Sequence, residues 1–196
     1  KETEPQGNLY PTAYGHPYRK DMIDHGNGRQ TKVTSLIGGG QIFNKIDSVL
    51  NSDKESVLVD MYTLQSPELV PERSSSPGTP GADKQAQIIN NLIKLANGPN
   101  KVKVKVILDH SKQDDGTYQN AEVIDHLRAN GVEVLTYPDS AKISHVKLLI
   151  VDGKYAVIGG MNWGNHSPTN QDACVLLEGD AVDNLIDQIY KVDYEF

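Results

Sequence analysis

The chain has 196 residues, of which 37% are hydrophobic, enough for one sizeable core and by default a single domain. Its formal charge of -7 and pI near 5.3 set the surface as a whole against a polyanion, so nonspecific nucleic-acid binding is disfavoured unless basic groups gather around one cleft. A single cysteine, Cys174, excludes an intramolecular disulfide and a thiolate-built zinc cluster, and no apolar run has the length of a membrane span or the make-up of a signal-peptide core.

Residues 1–34 are polar, with scattered Pro, Gly and His and no apolar periodicity, which predicts an extended arm with little regular structure ahead of one domain over 35–196. Ile42, Phe43, Ile46, Val49 and Leu50 recur at helical spacing over 42–50, and a β-rich apolar run follows over 56–64. Four prolines, two glycines and three consecutive serines make 66–82 a long flexible loop, suited to act as a lid. From Asp83 onward, Ile88, Ile89, Leu92, Ile93, Leu95 and Ala96 outline an amphipathic helix that Asn97-Gly98-Pro99 terminates. The run 101–108 alternates Lys with Val before an apolar end, a strand on which Lys101, Lys103 and Lys105 are solvated. A helix over 118–130, closed by Gly131, and a strand over 132–137 complete a β-α-β-α-β order. That order implies a mixed, mainly parallel sheet flanked by helices on both faces. Strands over 145–151 and 154–158 are joined by Asp152-Gly153, a dipeptide suited to a two-residue hairpin turn, and a helix over 181–190 closes the chain. There is no internal repeat.

The chemistry concentrates in His145-Val146-Lys147, then Asp152 after four apolar positions, then Gly159-Gly160-Met161-Asn162 after six more: HxKx4Dx6GGxN. On a strand, residues two apart project from the same face, so His145 and Lys147 meet over one patch of surface. An ammonium can neutralise nonbridging phosphate oxygens while an imidazole nitrogen attacks phosphorus or protonates the leaving oxygen, with no metal or cofactor required. Asn162, just past the second strand, can donate its amide to a phosphate oxygen, and Gly159 and Gly160 allow backbone to approach a ligand closely. Asp152 sits at the hairpin turn, where a structural hydrogen bond or ion pair is expected.

In these residues the sequence resembles the phospholipase D superfamily, over roughly residues 35–196 by the order of elements. The resemblance implies one half of that family's α/β fold, and hydrolysis or transfer of a phosphodiester through a phosphohistidine. It also implies that Asp172 hydrogen-bonds the catalytic imidazole and so fixes its tautomer, with a backbone-capping aspartate as the structural alternative. Many family members have Ser where this chain has Gly160, so a hydroxyl contact is absent here.

One histidine cannot stand on both sides of an in-line displacement, so a chain with one motif copy must pair with itself about a two-fold axis or be half of a longer protein. The run Glu178-Gly179-Asp180-Ala181-Val182 looks like the linker and helix start of two-motif members and favours the amino-terminal-half reading. The Gly-x-Asn-Trp run with Asn170 is similar to single-motif, nuclease-like members. The acidic pI and the lack of a basic aromatic stripe favour a phospholipid or other small phosphodiester. The sequence leaves the compartment undetermined, with an exported or membrane-peripheral place open. The alternatives are a homodimeric endonuclease and a non-catalytic interaction domain that keeps the fold, the latter opposed by the intact His, Lys and Asn. Tyr62 and Trp163 are expected in the core, with lining of the cleft as the alternative; Asp114-Asp115-Gly116 is expected to be a plain turn, and His16, His25, His126 and His166 to have surface or local roles. His110 ends a predicted core strand, a place where sites form.

Overall fold

The computed structural model describes residues 22–26, 28–52, 54–69, 84–137 and 142–193; the expectations for 1–21 and for 70–82 of the loop lie outside the described residues. In chain order the elements are β1 (Met22–Gly26), β2 (Arg29–Ile37), α1 (Gly39–Leu50), β3 (Ser56–Met61), α2 (Lys84–Asn97), β4 (Lys103–Leu108), α3 (Ala121–Ala129), β5 (Glu133–Thr136), β6 (Lys147–Val151), β7 (Tyr155–Gly159), β8 (Ala173–Gly179) and α4 (Ala181–Asp193). The strands form one eight-stranded sheet in the order β1-β2-β8-β7-β6-β3-β4-β5.

The sheet is mixed, as the element order implies, but it is not mainly parallel. Only β3–β4 and β4–β5 pair in parallel, while β1–β2, β2–β8, β3–β6, β6–β7 and β7–β8 are antiparallel. Parallel neighbours need a crossover, and only α2 and α3 supply one between adjacent strands.

The expected arm also needs correction, because its boundary at 34 falls inside β2. From Thr31 to Ile37, β2 pairs with β8 from Gly179 to Ala173, and β1 pairs with β2 in turn. Along β2 only Thr31 and Leu36 are fully buried. With so little apolar alternation, ladder pairing rather than patterning holds the strand. The presumed linker at 178–180 is likewise packed: Asp180 accepts the Gln30 N–H at 2.7 Å, and Lys32 pairs with Glu178 at 3.5 Å.

Helices cover both faces. On one, Ile42, Phe43 and Ile46 of α1, Ile88, Ile89 and Leu92 of α2 and Val123, Ile124 and Leu127 of α3 pack on Val57, Val59, Met61, Val106, Leu108, Leu149 and Val151. On the other, Val182, Leu185 and Ile186 of α4 meet Leu58, Ile107, Leu148, Ile150 and Ala156. Since β2, β3 and β4 run the same way, the helices that follow them all begin at one end of the sheet. Their N-termini present partial positive charge there. No helix among the described residues is long and apolar enough to cross a membrane.

The β6–β7 hairpin turns at Asp152 and Gly153, with φ of 55° and 64°. Positive φ at both central residues is what a type I′ turn requires, and Gly153 meets it without a Cβ. The register Val151↔Tyr155 leaves three residues in the connection rather than two. The Asp152 carboxylate accepts the Glu55 and Ser56 N–H groups at 2.7 and 2.9 Å, tying the turn to the start of β3.

Candidate active site

The sheet end that receives three helix N-termini also receives the start of β6. His145 lies two residues ahead of Lys147, the first residue of β6, on backbone still paired with its neighbour: Tyr62 donates its N–H to Val146 O at 2.8 Å. Lys147 is opposite Met61, which is opposite Leu108, so its side chain shares the face of the α1–α3 core. It is 7% exposed, whereas His145 is exposed. The expected pair is present: Lys147 Nζ donates to His145 Nδ1 at 2.9 Å and to His145 O at 3.0 Å. No carboxylate among the described residues forms an ion pair with Lys147. Burial holds its ammonium below the usual lysine range.

An ammonium can only donate, so Nδ1 of His145 accepts and, in the neutral ring, the proton sits on Nε2. In that tautomer the Nε2–H can donate a hydrogen bond to a phosphate oxygen, whereas giving a proton to a leaving oxygen needs the imidazolium and attack on phosphorus needs Nε2 without its hydrogen. For Nε2 to attack phosphorus, Lys147 must leave Nδ1, and a phosphate oxygen is a competing partner for that ammonium. Tyr62 forms the wall beside both groups, its ring 4.5 Å from the imidazole centroid and 5.1 Å from Lys147 Nζ. Sequence reasoning assigned Tyr62 to the core; one residue past the end of β3, it is half-buried against the site instead.

Asn162 lies on the segment that follows β7. The β6–β7 register leads from Leu148↔Ile158 towards His145 and residues 160–162. Trp163 N–H then donates to Thr63 O at 2.9 Å, so the segment spans the mouth of β6. Asn162 Oδ1 is buried without a hydrogen-bond partner among the described residues. Trp163 itself is core.

Gly159 and Gly160 differ sharply. A Cβ on Gly159 would lie 2.6 Å from Ala173 O and 2.7 Å from Cys174 Cα, so its close approach is to β8. At Gly160 the nearest atom would be Ala173 O at 4.0 Å. Gly159→Ala is therefore expected to destabilise by about 1–3 kcal/mol through overpacking, and Gly160→Ser to stay within about 0.5 kcal/mol; urea unfolding of both variants measures this. Burial raises the pKa of the neighbouring Cys174 thiol, which acts as a packing group.

Asp172 makes no hydrogen bond to His145. Its carbonyl accepts the Gly38 N–H at 2.7 Å, joining the start of β8 to the start of α1, and its charge is felt at Cys174. The carboxylate that is wired to the histidine segment is one that sequence reasoning missed: Asp109 Oδ1 accepts the N–H of Ser144 at 2.8 Å. Its only signal was its position at the carboxyl end of a core strand. Next to it, His110 stacks on Tyr118 with centroids 4.8 Å apart, and its Nδ1 is 3.0 Å from Gln119 O. In the 114–116 turn, Asp115 accepts from Thr117 N and Oγ1. Among the described residues no group of three His, Cys, Asp or Glu could hold a metal ion. Two surface concavities, bordered by Leu50, Lys54 and Asn91 and by Leu58, Lys103 and Ile186, exclude all the residues above.

Residues 46–193 match the family described as cardiolipin synthase, PLD-like domain. The fold is similar to that of Nuc from Salmonella typhimurium, a phospholipase D family member, at a TM-score of 0.60 and 18% identity over 84% of this chain and 95% of that one. NucT from Helicobacter pylori superposes at 0.57 and 18% over 84% and 96%. Phosphatidylserine synthase from Haemophilus influenzae Rd KW20 superposes at 0.51 and 14% over 86% of this chain and 39% of that one. No curated protein sequence matches the chain.

Proposed function

The chain belongs to the phospholipase D-like domain family, and on that footing we propose that it hydrolyses or transfers a phosphodiester through one His145 half-site completed by a second. The observation that carries this reading is the Lys147 ammonium held 2.9 Å from the His145 ring, free of any ion pair among the described residues, at an exposed strand end. In the first step an imidazole nitrogen bonds to phosphorus, the bond from phosphorus to the leaving oxygen breaks, and the opposed imidazolium gives that oxygen its proton and becomes neutral. In the second, water or an alcohol attacks phosphorus, the N–P bond breaks, and the opposed imidazole takes the acceptor's proton. Lys147 and Asn162 hold the nonbridging oxygens throughout.

The second imidazole comes from a second copy of this chain or from another half-site. Near-complete coverage of Nuc and NucT supports a unit of this size as one half-site. The charge of -7 supports a phospholipid or other small phosphodiester as substrate. A second reading, a substrate that carries a nucleobase, draws support from the His110–Tyr118 stack at the same sheet end, where Tyr118 is 41% exposed.

The test is turnover of bis-p-nitrophenyl phosphate, with protein quenched during turnover and assayed for an acid-labile, alkali-stable phosphoryl group. Turnover that persists in EDTA, with label on the wild type and none on His145→Ala, is expected. Wild-type turnover without label, or label that survives His145→Ala, would remove the phosphohistidine mechanism.

A further inference from the structure

Regular pairing ends at Met61 and Leu108, yet the segments that carry Tyr62, Asp109 and His145 continue past it towards the site. Beyond the Tyr62 N–H bond to Val146 O, two buried side chains hold them together. Asp109 is 0% exposed and has no ion pair among the described residues. Its Oδ2 accepts from Ser111 Oγ at 2.6 Å and Ser111 N at 3.2 Å, and its Oδ1 accepts from Ser144 N at 2.8 Å. Asn120, in the left-handed region at φ 57°, donates from Nδ2 to Asp109 O and Tyr62 O, both at 2.8 Å, and accepts from Leu64 N at 2.9 Å.

A carboxylate without a cation is costly to bury, and apolar residues would fill the same volume without that cost. What apolar residues could not do is fix the backbone one residue before His145 and the backbone of Tyr62 relative to a common point. We propose that Asp109 and Asn120 are positioning residues of the half-site: Asp109 sets the approach of His145 through Ser144, and Asn120 sets Tyr62, the wall against which the imidazole and Lys147 rest. The inference deepens the phosphodiesterase reading and rests on it for activity, while its structural arm stands apart.

Two variants test it in the full chain. In Asp109→Asn, the side-chain carbonyl can serve Ser144 N or the Ser111 donors, not both. Asn120→Gly keeps the left-handed backbone and deletes three amide hydrogen bonds, and it carries the test if Asp109→Asn does not fold. The readouts are the imidazole 15N resonances of His145 and the kinetics of bis-p-nitrophenyl phosphate cleavage. The wild type is expected to show the single-tautomer pattern with hydrogen on Nε2, and both variants to shift towards the averaged pattern of a free ring. Turnover kcat should fall about 10- to 100-fold with KM changed less than about two-fold, the signature of a misplaced reacting group. Unchanged His145 resonances in a folded variant, with or without a lower melting temperature, would overturn the proposal. If the resonances shift but the wild type has no turnover, positioning stands and the phosphodiesterase reading falls.

Discussion

His145→Ala is expected to lower phosphodiester turnover on the order of 10^4-fold, because in the proposed mechanism it deletes the atom that bonds to phosphorus and not merely a group that polarises it. The fold should hardly respond. The ring is exposed, and what it loses is a hydrogen bond from Lys147 and a contact with the Tyr62 ring. The melting temperature therefore serves as the internal control. Mixing experiments then tell where the second imidazole resides. If two copies of this chain share the reaction, equal amounts of wild type and His145→Ala after subunit exchange leave about half of the wild-type subunits paired with each other. Turnover per wild-type subunit should then fall to about half. If another polypeptide supplies the opposed half-site, it stays unchanged.

Lys147→Met is expected to lower kcat/KM on the order of 10²- to 10³-fold while raising the melting temperature. The first effect follows from loss of a preorganised cation at the phosphate. The second follows from burial: the ammonium donates to His145 and lies over the Tyr62 ring, with no counter-ion among the described residues, and burial lowers its pKa. An unbranched apolar chain of similar length removes that desolvation and leaves the packing intact, worth about 1 kcal/mol or roughly 2–4 °C. The sign of the pH dependence follows from linkage. A lysine whose folded pKa is depressed penalises the folded state fully below that pKa. The penalty fades as pH rises through it towards the ordinary lysine value, because there the unfolded chain binds more protons. The stability gap between Lys147→Met and wild type should accordingly narrow in alkaline solution. A gap that is absent at neutral pH, or that widens as pH rises, would mean that burial of this ammonium costs the fold nothing. The residue proposed to serve the reaction is thus one the fold would be more stable without.

The pairing of His145 with Lys147 was legible because extended-chain periodicity is local: residues two apart share a face whatever the rest of the chain does. The helices α1, α2 and α3 were legible for the same reason, each carrying its own apolar stripe. Three strands were not. Thr31, Ser35 and Lys32 break the alternation on β2, β1 lies in the same polar stretch, and no element is predicted over 173–177, ahead of the linker-like Glu178-Gly179-Asp180. Their pairing with each other, Thr31↔Gly179 to Ile37↔Ala173, spans most of the chain length, and no window of sequence contains both partners.

The sequence by itself determined the family and supplied the candidate reacting groups, since both reside in side-chain chemistry at fixed local spacing. Only the tertiary structure decided which groups touch His145. Lys147 and Tyr62 do, and Asp172 does not. It also revealed Asp109, joined to the histidine segment by a hydrogen bond across 35 positions of sequence. Hydrogen bonds between distant segments depend on where loops end after strands have paired, and that is set by the register of the sheet rather than by any property of the residues taken one at a time.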